Sequence, residues 1–172
     1  MKRLSKKSLI SSKITFCPGP GANIPEWTKS QKEYFGRGDK EYENIKSKTI
    51  DWLKKISQKN EVVPVAGSAS TAAIISFETF LKGKVLLINT GYYSNRWLKD
   101  IKARKNINLI NIDYKNIENI NGRYDWIVFV YVETSSCIKF DLKKVFKLKK
   151  KLKSKLLLDA TASIGLENNH KL

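Results

Sequence analysis

Four groups of residues that could take part in chemistry each come directly after an apolar segment of this sequence. The first is a loop of small residues, Gly67-Ser68-Ala69-Ser70, and the others are represented by Tyr93, Thr134 and Asp159. Small residues at the start of a helix leave backbone N–H groups free at the positive end of the helix dipole, where a phosphate can bind. Taken alone, this loop is equally typical of an ordinary N-cap after a strand.

The apolar segments predict strands that alternate with helices. Strands are predicted over residues 62–65, 85–88, 107–112, 126–132 and 156–158, and helices over residues 40–58, 70–81, 141–153 and a segment after Gly91. Strands without strict alternation are typical of a parallel sheet buried on both faces. We therefore expect an α/β fold of three layers, with a mostly parallel sheet and helices on both faces, and a well-buried helix over 70–81. The four groups all fall at carboxyl ends of strands, where such sheets bind ligands.

The composition indicates one globular domain. The 172 residues are 41% hydrophobic and 28% charged, and the net charge of +17 comes mainly from lysines spread along the whole chain. That spread is typical of a compositional bias, although a polyanion-binding surface stays open as an alternative. Neither a secretory signal nor an apolar run of about 18 residues is found, so we expect a cytoplasmic protein without a membrane partner.

Metal or redox chemistry is not indicated by the cysteines and the histidine. Cys17 and Cys137 lie far apart, and His170 is the single histidine. Because a metal site needs a cluster of such ligands, we expect no metal and two free thiols in a reducing compartment.

Five short motifs occur in a fixed order along the chain. They are Pro18-Gly19-Pro20, Gly67-Ser68-Ala69-Ser70, Gly91-Tyr92-Tyr93-Ser94-Asn95-Arg96, Glu133-Thr134-Ser135, and Asp159 followed by Ser163-Ile164-Gly165. In this order they resemble the motifs of class V, fold-type I pyridoxal-phosphate aminotransferases, such as the alanine–glyoxylate, serine–pyruvate and 2-aminoethylphosphonate transaminases. The resemblance extends over nearly the whole chain and implies the large domain of that fold.

The resemblance implies a role for each group of residues toward pyridoxal 5'-phosphate. Ser68, Ala69 and Ser70 would hold the phosphate, although the family has a glycine where this chain has Ala69. Tyr93 would stack on the ring, and Thr134 would bond near its phenolic oxygen. Asp159 would pair with the pyridine nitrogen. From the residues alone, Asp159 is also typical of an N-cap, Tyr93 of a packing aromatic and Thr134 of a turn hydroxyl. For Arg96 we expect a surface ion pair rather than a substrate contact.

The resemblance also places the Schiff-base lysine of the family beyond Leu172, because Lys171 lies too close to Asp159 to match it. We therefore expect an N-terminal arm over residues 1–40 and a partial cofactor-binding large domain over 41–172, without the lysine and without the C-terminal small domain. The implied reaction is transamination of a small amino acid to a 2-oxo acid or aldehyde, and the implied assembly of a complete enzyme is a homodimer. A non-catalytic remnant of such an enzyme is one alternative, and a basic α/β module that binds nucleic acid is a less favoured one.

Overall fold

The structure is a computed structural model that describes Gly36 and residues 38–166. In chain order the elements are α1 (Lys40–Ser57), α2 (Ala69–Phe80), β1 (Gly83–Asn89), α3 (Tyr92–Lys102), β2 (Ile107–Asp113), a 3₁₀ helix (Tyr114–Asn119), β3 (Trp126–Val130), β4 (Val132–Glu133), β5 (Ile138–Lys139), α4 (Leu142–Leu152) and β6 (Lys155–Asp159). The chain forms two compact units, residues 1–48 and 49–172, and all the strands belong to the second. The features predicted at Cys17, Pro18-Gly19-Pro20, His170 and Lys171 lie outside the described residues.

The main sheet has four parallel strands in the order β2-β1-β3-β6. From β1 the chain first proceeds to β2 at one edge, and it then crosses over to place β3 on the other side of β1. This reversal of direction opens a crevice at the carboxyl ends of β1 and β3, which is where open α/β sheets bind ligands. The predicted parallel α/β sheet is confirmed.

Apolar side chains cover both faces of this sheet. On one face, α2 and α3 pack against β1 and β3 through Phe77, Trp97 and Ile101. On the other face, the 3₁₀ helix and α4 pack through side chains that include Ile117 and Val145. Successive residues of β1 therefore point into two different cores, which explains why the strand reads as a continuous apolar run. The predicted arrangement of helices on both faces is confirmed.

Two helices begin at a side chain that caps them. Ser68 caps α2, because its Oγ accepts the backbone N–H of Thr71 at 3.2 Å. Asp141 caps α4 in the same way, with its Oδ1 accepting the backbone N–H of Lys143 at 2.9 Å. At its other end α4 stops at Lys153, which adopts a left-handed conformation with φ of 53°. These caps satisfy groups that a helix cannot satisfy by itself.

Two predictions about the segment before β1 are wrong. Residues 61–65 form no strand, and Val63 is 80% exposed. Proline at position 64 has no N–H to give to a ladder, and apolar composition alone does not supply a neighbouring strand. Helix α2 is less buried than predicted, since only Phe77 is fully buried and Ile74, Ile75 and Phe80 are exposed.

The predicted strand over residues 126–132 is divided in the structure. Strand β3 ends at Val130, and β4 pairs with β5 in a separate antiparallel hairpin. Tyr131 marks the change of partner, because its N–H bonds to the carbonyl of Asp159 while its own carbonyl accepts the N–H of Phe140. The hairpin and the 3₁₀ helix were not predicted, since both are too short to show a period.

Within the described ranges, no helix is long and apolar enough to cross a membrane.

Gly91 lies at a close approach between the start of α3 and the end of β4. Its φ of 143° is a conformation that side-chain-bearing residues rarely adopt. A Cβ atom at this position would lie 2.9 Å from Cγ of Glu133, a residue without solvent exposure. Only glycine fits both the backbone conformation and the space.

We predict that Gly91→Ala lowers the free energy of unfolding by about 2–5 kcal/mol, from backbone strain plus overlap with Glu133. Gly122→Ala is the matched control, because Gly122 also has a positive φ, 103°, but its Cβ would meet nothing closer than 3.9 Å. The control should lose only about 1–2 kcal/mol. Urea unfolding measures both values, and equal losses would contradict the close approach at Gly91.

Candidate functional site

The residues predicted to form a site line one cavity of about 270 Å³. It lies at the carboxyl ends of β3 and β6, where the start of α2 and the start of α3 also meet. Its lining comprises Ser68, Ala69, Ser70, Tyr93, Arg96, Trp97, Val130, Val132, Thr134, Asp159, Thr161 and Ala162. The structure thus brings together all six residues that the sequence singled out, although they come from four separate segments of the chain.

The start of α2 presents free hydrogen-bond donors to this cavity. The Oγ of Ser68 accepts the N–H of Thr71, and the carbonyl of Ser68 accepts the N–H of Ala72. Across the residues that the structure describes, the N–H groups of Ala69 and Ser70 have no acceptor. Two unpaired N–H groups at the positive end of a helix of 12 residues favour an anion. Alanine in place of glycine at position 69 keeps this N–H group.

Asp159 contributes a carboxylate that is held on both of its oxygens. The indole N–H of Trp97 donates to Oδ2 at 3.1 Å. The backbone N–H and the hydroxyl of Thr161 donate to Oδ1 at 3.0 and 2.6 Å. The residue is half-buried at the end of β6, so these three bonds fix the direction of its carboxylate within the cavity wall.

Tyr93 reaches the cavity from the first turn of α3, and Glu133 fixes that turn. The Oε2 of Glu133 accepts the backbone N–H of Tyr93 at 3.0 Å, and Oε1 accepts the hydroxyl of Ser135. Glu133 has no solvent exposure, whereas Tyr93 is half-buried. The ring of Tyr93 also contacts the ring of Tyr92 edge to face, with centroids 5.3 Å apart. A carboxylate buried at a helix start is stabilised by the free N–H groups there.

Thr134 and Arg96 both line the cavity with exposed side chains. Thr134 follows Glu133 directly, so the bonds that hold Glu133 also place this hydroxyl. Arg96 has its guanidinium carbon 5.7 Å from the centroid of the Trp97 ring. Its expected ion pair with a surface carboxylate is not found between residues 38 and 166. Arg96 is therefore an uncompensated cation in the cavity wall.

Three residues that hold the site together were not predicted as part of it. Trp97 lies one helical turn after Tyr93, on the same face of α3, and that spacing is a signal visible in the sequence. Thr161 follows Asp159 by two residues, a spacing at which an aspartate accepts a backbone N–H in a turn. Glu133 was recognised only as a member of a motif, because nothing in the sequence shows that its side chain turns inward.

The cavity combines an anion-binding helix start, an aromatic ring, a hydroxyl, a cation and a fixed carboxylate. This set suits a ligand that carries a phosphate at one end and an aromatic ring with a polar atom elsewhere. In the described part of the chain, no group of three or more His, Cys, Asp or Glu side chains is placed to hold a metal ion.

The chain matches no protein-family model and no curated protein. Its structure is similar to an alanine–glyoxylate aminotransferase from Nostoc sp., with 21% identity and a TM-score of 0.71 over 86% of this chain and 43% of that one. A ureidoglycine–glyoxylate aminotransferase from Bacillus subtilis matches with 18% identity and a TM-score of 0.66, over 86% of this chain and 42% of the other. A phosphoserine aminotransferase from Cytophaga hutchinsonii matches with 16% identity and a TM-score of 0.62, over 76% and 39%.

These similarities show a shared fold. The resemblance to class V aminotransferases is confirmed at that level, since the chain has the α/β fold of part of these proteins. It spans less than half the length of each of the three structures.

We predict that the Trp97–Asp159 hydrogen bond stabilises the site. Trp97→Phe removes the N–H donor while it keeps a ring against Phe77, whose centroid lies 5.4 Å away. The free energy of unfolding should fall by about 1–2 kcal/mol, as expected for a bond to a charged group. In a cycle with Asp159→Ala, the two changes should couple by at least about 1 kcal/mol in urea unfolding. Strict additivity would contradict the bond, and Trp52→Phe, at a residue that is 60% exposed, is the control for loss of ring size.

Proposed function

We propose that this chain binds pyridoxal 5'-phosphate in the cavity at the carboxyl edge of the sheet and acts as the N-terminal, cofactor-binding portion of a transaminase. The observation that carries the proposal is the convergence of Ser68, Ala69, Ser70, Tyr93, Thr134 and Asp159 on one cavity. Their selection used only the order of the motifs in the sequence, so their meeting in space is an independent observation. The fold that the chain shares with aminotransferases gives further support.

The residues present fit such a ligand. The free N–H groups of Ala69 and Ser70 would hold the phosphate at the positive end of α2. Tyr93 would lie against the ring, and Thr134 would donate to its phenolic oxygen. Asp159 would hold a proton at the pyridine nitrogen, since a carboxylate oxygen that accepts one bond from Trp97 can accept a second.

The cofactor supplies an electron sink for the Cα of an amino acid, which is the chemistry that transamination requires. The part played by this chain is to orient and tune that sink. Asp159 keeps the pyridine nitrogen protonated, and Trp97 with Thr161 prevents the carboxylate from turning away. Tyr93 covers the ring from solvent at one side.

We extend the proposal to the substrates, a small amino acid as donor and a 2-oxo acid or aldehyde as acceptor. Two of the similar structures are named for glyoxylate, a small acid that carries an aldehyde. Arg96 supports this choice, because it is an uncompensated cation in the cavity wall that could pair with a substrate carboxylate. A homodimer and a cytoplasmic location belong to the same proposal and rest on the family resemblance.

Binding is tested with pyridoxine 5'-phosphate, which lacks the aldehyde and therefore cannot react with the many lysine amino groups. We predict that the chain binds it and that Asp159→Asn weakens binding about tenfold or more, as loss of a charge-assisted bond implies. Isothermal titration calorimetry provides the dissociation constants. Pyridoxine without its phosphate should bind more weakly than the phosphate ester.

The matched control is Asp51→Asn on the exposed surface of α1. It removes the same charge far along the chain from the cavity-lining residues, and it should change the affinity less than twofold. No binding to the unaltered chain, or the same loss in both variants, would overturn the proposal.

The aromatic role of Tyr93 gives a second test of the same site. We predict that Tyr93→Leu weakens pyridoxine 5'-phosphate binding by about 3–10-fold, in line with the energy of an aromatic pair. Tyr92→Leu is the adjacent control, because Tyr92 is 64% exposed and does not line the cavity. Affinity that is unchanged by Tyr93→Leu, or reduced equally by both, would remove Tyr93 from the site.

A further inference from the structure

An open groove of about 760 Å³ lies at the opposite edge of the main sheet, at the amino ends of β1, β3 and β6. We call it the amino-edge groove and define it by Lys82, Arg123, Asp125, Trp126, Lys153 and Lys155. It shares no residue with the proposed cofactor cavity. Its size is within the range of clefts that bind small molecules.

The amino-edge groove carries an excess of positive charge that the protein does not neutralise. Four of its residues are cations and one, Asp125, is an acid. The carboxylate of Asp125 accepts the backbone N–H of Lys84 at 2.8 Å. Among the residues described by the structure, none of the four cations has an ion pair. Like charges placed together without acids repel one another, so an anionic ligand would be favoured there.

The convergence of these cations is a consequence of the fold. They come from three separate connections, which lead into β1, β3 and β6, and parallel strands bring their amino ends to one edge. The parallel register pairs Trp126 with Lys155, and the Lys155 amino group lies 5.4 Å from the centroid of the Trp126 ring. Lys153 ends α4 in its left-handed conformation. Position in the fold therefore brings these cations together, and the high lysine content of the whole chain does not by itself account for the groove.

Aromatic surface adjoins the charges. The ring of Trp126 contacts that of Phe80, with centroids 6.2 Å apart, and Phe80 is about half exposed. Flexible lysines bind phosphates as point charges, an arginine binds them with its fork, and exposed aromatic rings beside them stack on bases.

We propose that the amino-edge groove binds a ligand with several adjacent phosphate groups. A free nucleoside triphosphate and the backbone of a single-stranded nucleic acid share this chemistry. The groove is independent of the proposed cofactor site, because the two use different residues at opposite edges of the sheet.

The test uses inorganic tripolyphosphate and the full 172-residue chain in calorimetric titration. The groove variant combines Lys82→Gln, Lys153→Gln and Lys155→Gln. The matched control combines Lys99→Gln, Lys115→Gln and Lys143→Gln, three exposed lysines outside the groove, and it removes the same charge. We expect the groove variant to lose affinity about tenfold or more and the control less than twofold, with circular dichroism checking that both fold.

The two sources of phosphate are separated by repeating the titration with ATP and with single-stranded oligothymidylate. If ATP binds at least as tightly as tripolyphosphate and shows the same loss, the source is a free nucleotide. If oligothymidylate binds at least about tenfold more tightly than ATP and shows the loss, the source is nucleic acid. No binding of tripolyphosphate, or equal losses in the groove variant and the control, overturns the proposal. Pyridoxine 5'-phosphate binding by the groove variant should stay unchanged, so failure of one proposal is distinguishable from failure of the other.

Discussion

The buried carboxylate of Glu133 is the constraint on which the carboxyl edge of the sheet depends. It has no solvent exposure, and its oxygens accept bonds from the first turn of α3 and from the turn after β4. Burying a carboxyl group costs free energy unless it is fully bonded, so the backbone around it has little freedom to move. Glycine at position 91 is required because the chain passes so close to this side chain. As a result, Tyr93 and Thr134 occupy one cavity wall together.

Helix α3 carries this order across the site to β6. Its first turn is tied to Glu133, and one turn later Trp97 donates to Asp159, a residue 62 positions further along the chain. Trp97 can serve as a precise donor because its ring is packed against Phe77 and is almost fully buried. The direction of the Asp159 carboxylate is therefore determined by the hydrophobic core, which is more rigid than the surface loops around the site.

The sheet and the site residues could be predicted from the sequence for one reason. Continuous apolar runs such as 85–88 and 126–130 are buried on both faces, and the residues directly after such a run lie at the carboxyl edge. Prediction failed where structure depends on partners that composition does not specify. Residues 62–65 are apolar but pair with no strand, and Tyr131 ends β3 because its N–H and carbonyl bond to different segments. The inward turn of Glu133 and the Trp97–Asp159 bond are likewise tertiary, so motif spacing could suggest neighbours for them but could not show the bonds.

A parallel sheet gives its two edges different chemistry, and this chain illustrates both. At the carboxyl edge, the starts of α2 and α3 present backbone N–H groups, so a small anion or a carboxylate can be held with little help from charged side chains. At the amino edge no such helix starts are available to the groove, and four exposed cations occupy it instead. Backbone donors fix a ligand in one orientation, whereas flexible lysines tolerate several. The first arrangement is therefore suited to a cofactor whose ring must be oriented for reaction, and the second to a phosphate chain that needs only to be retained.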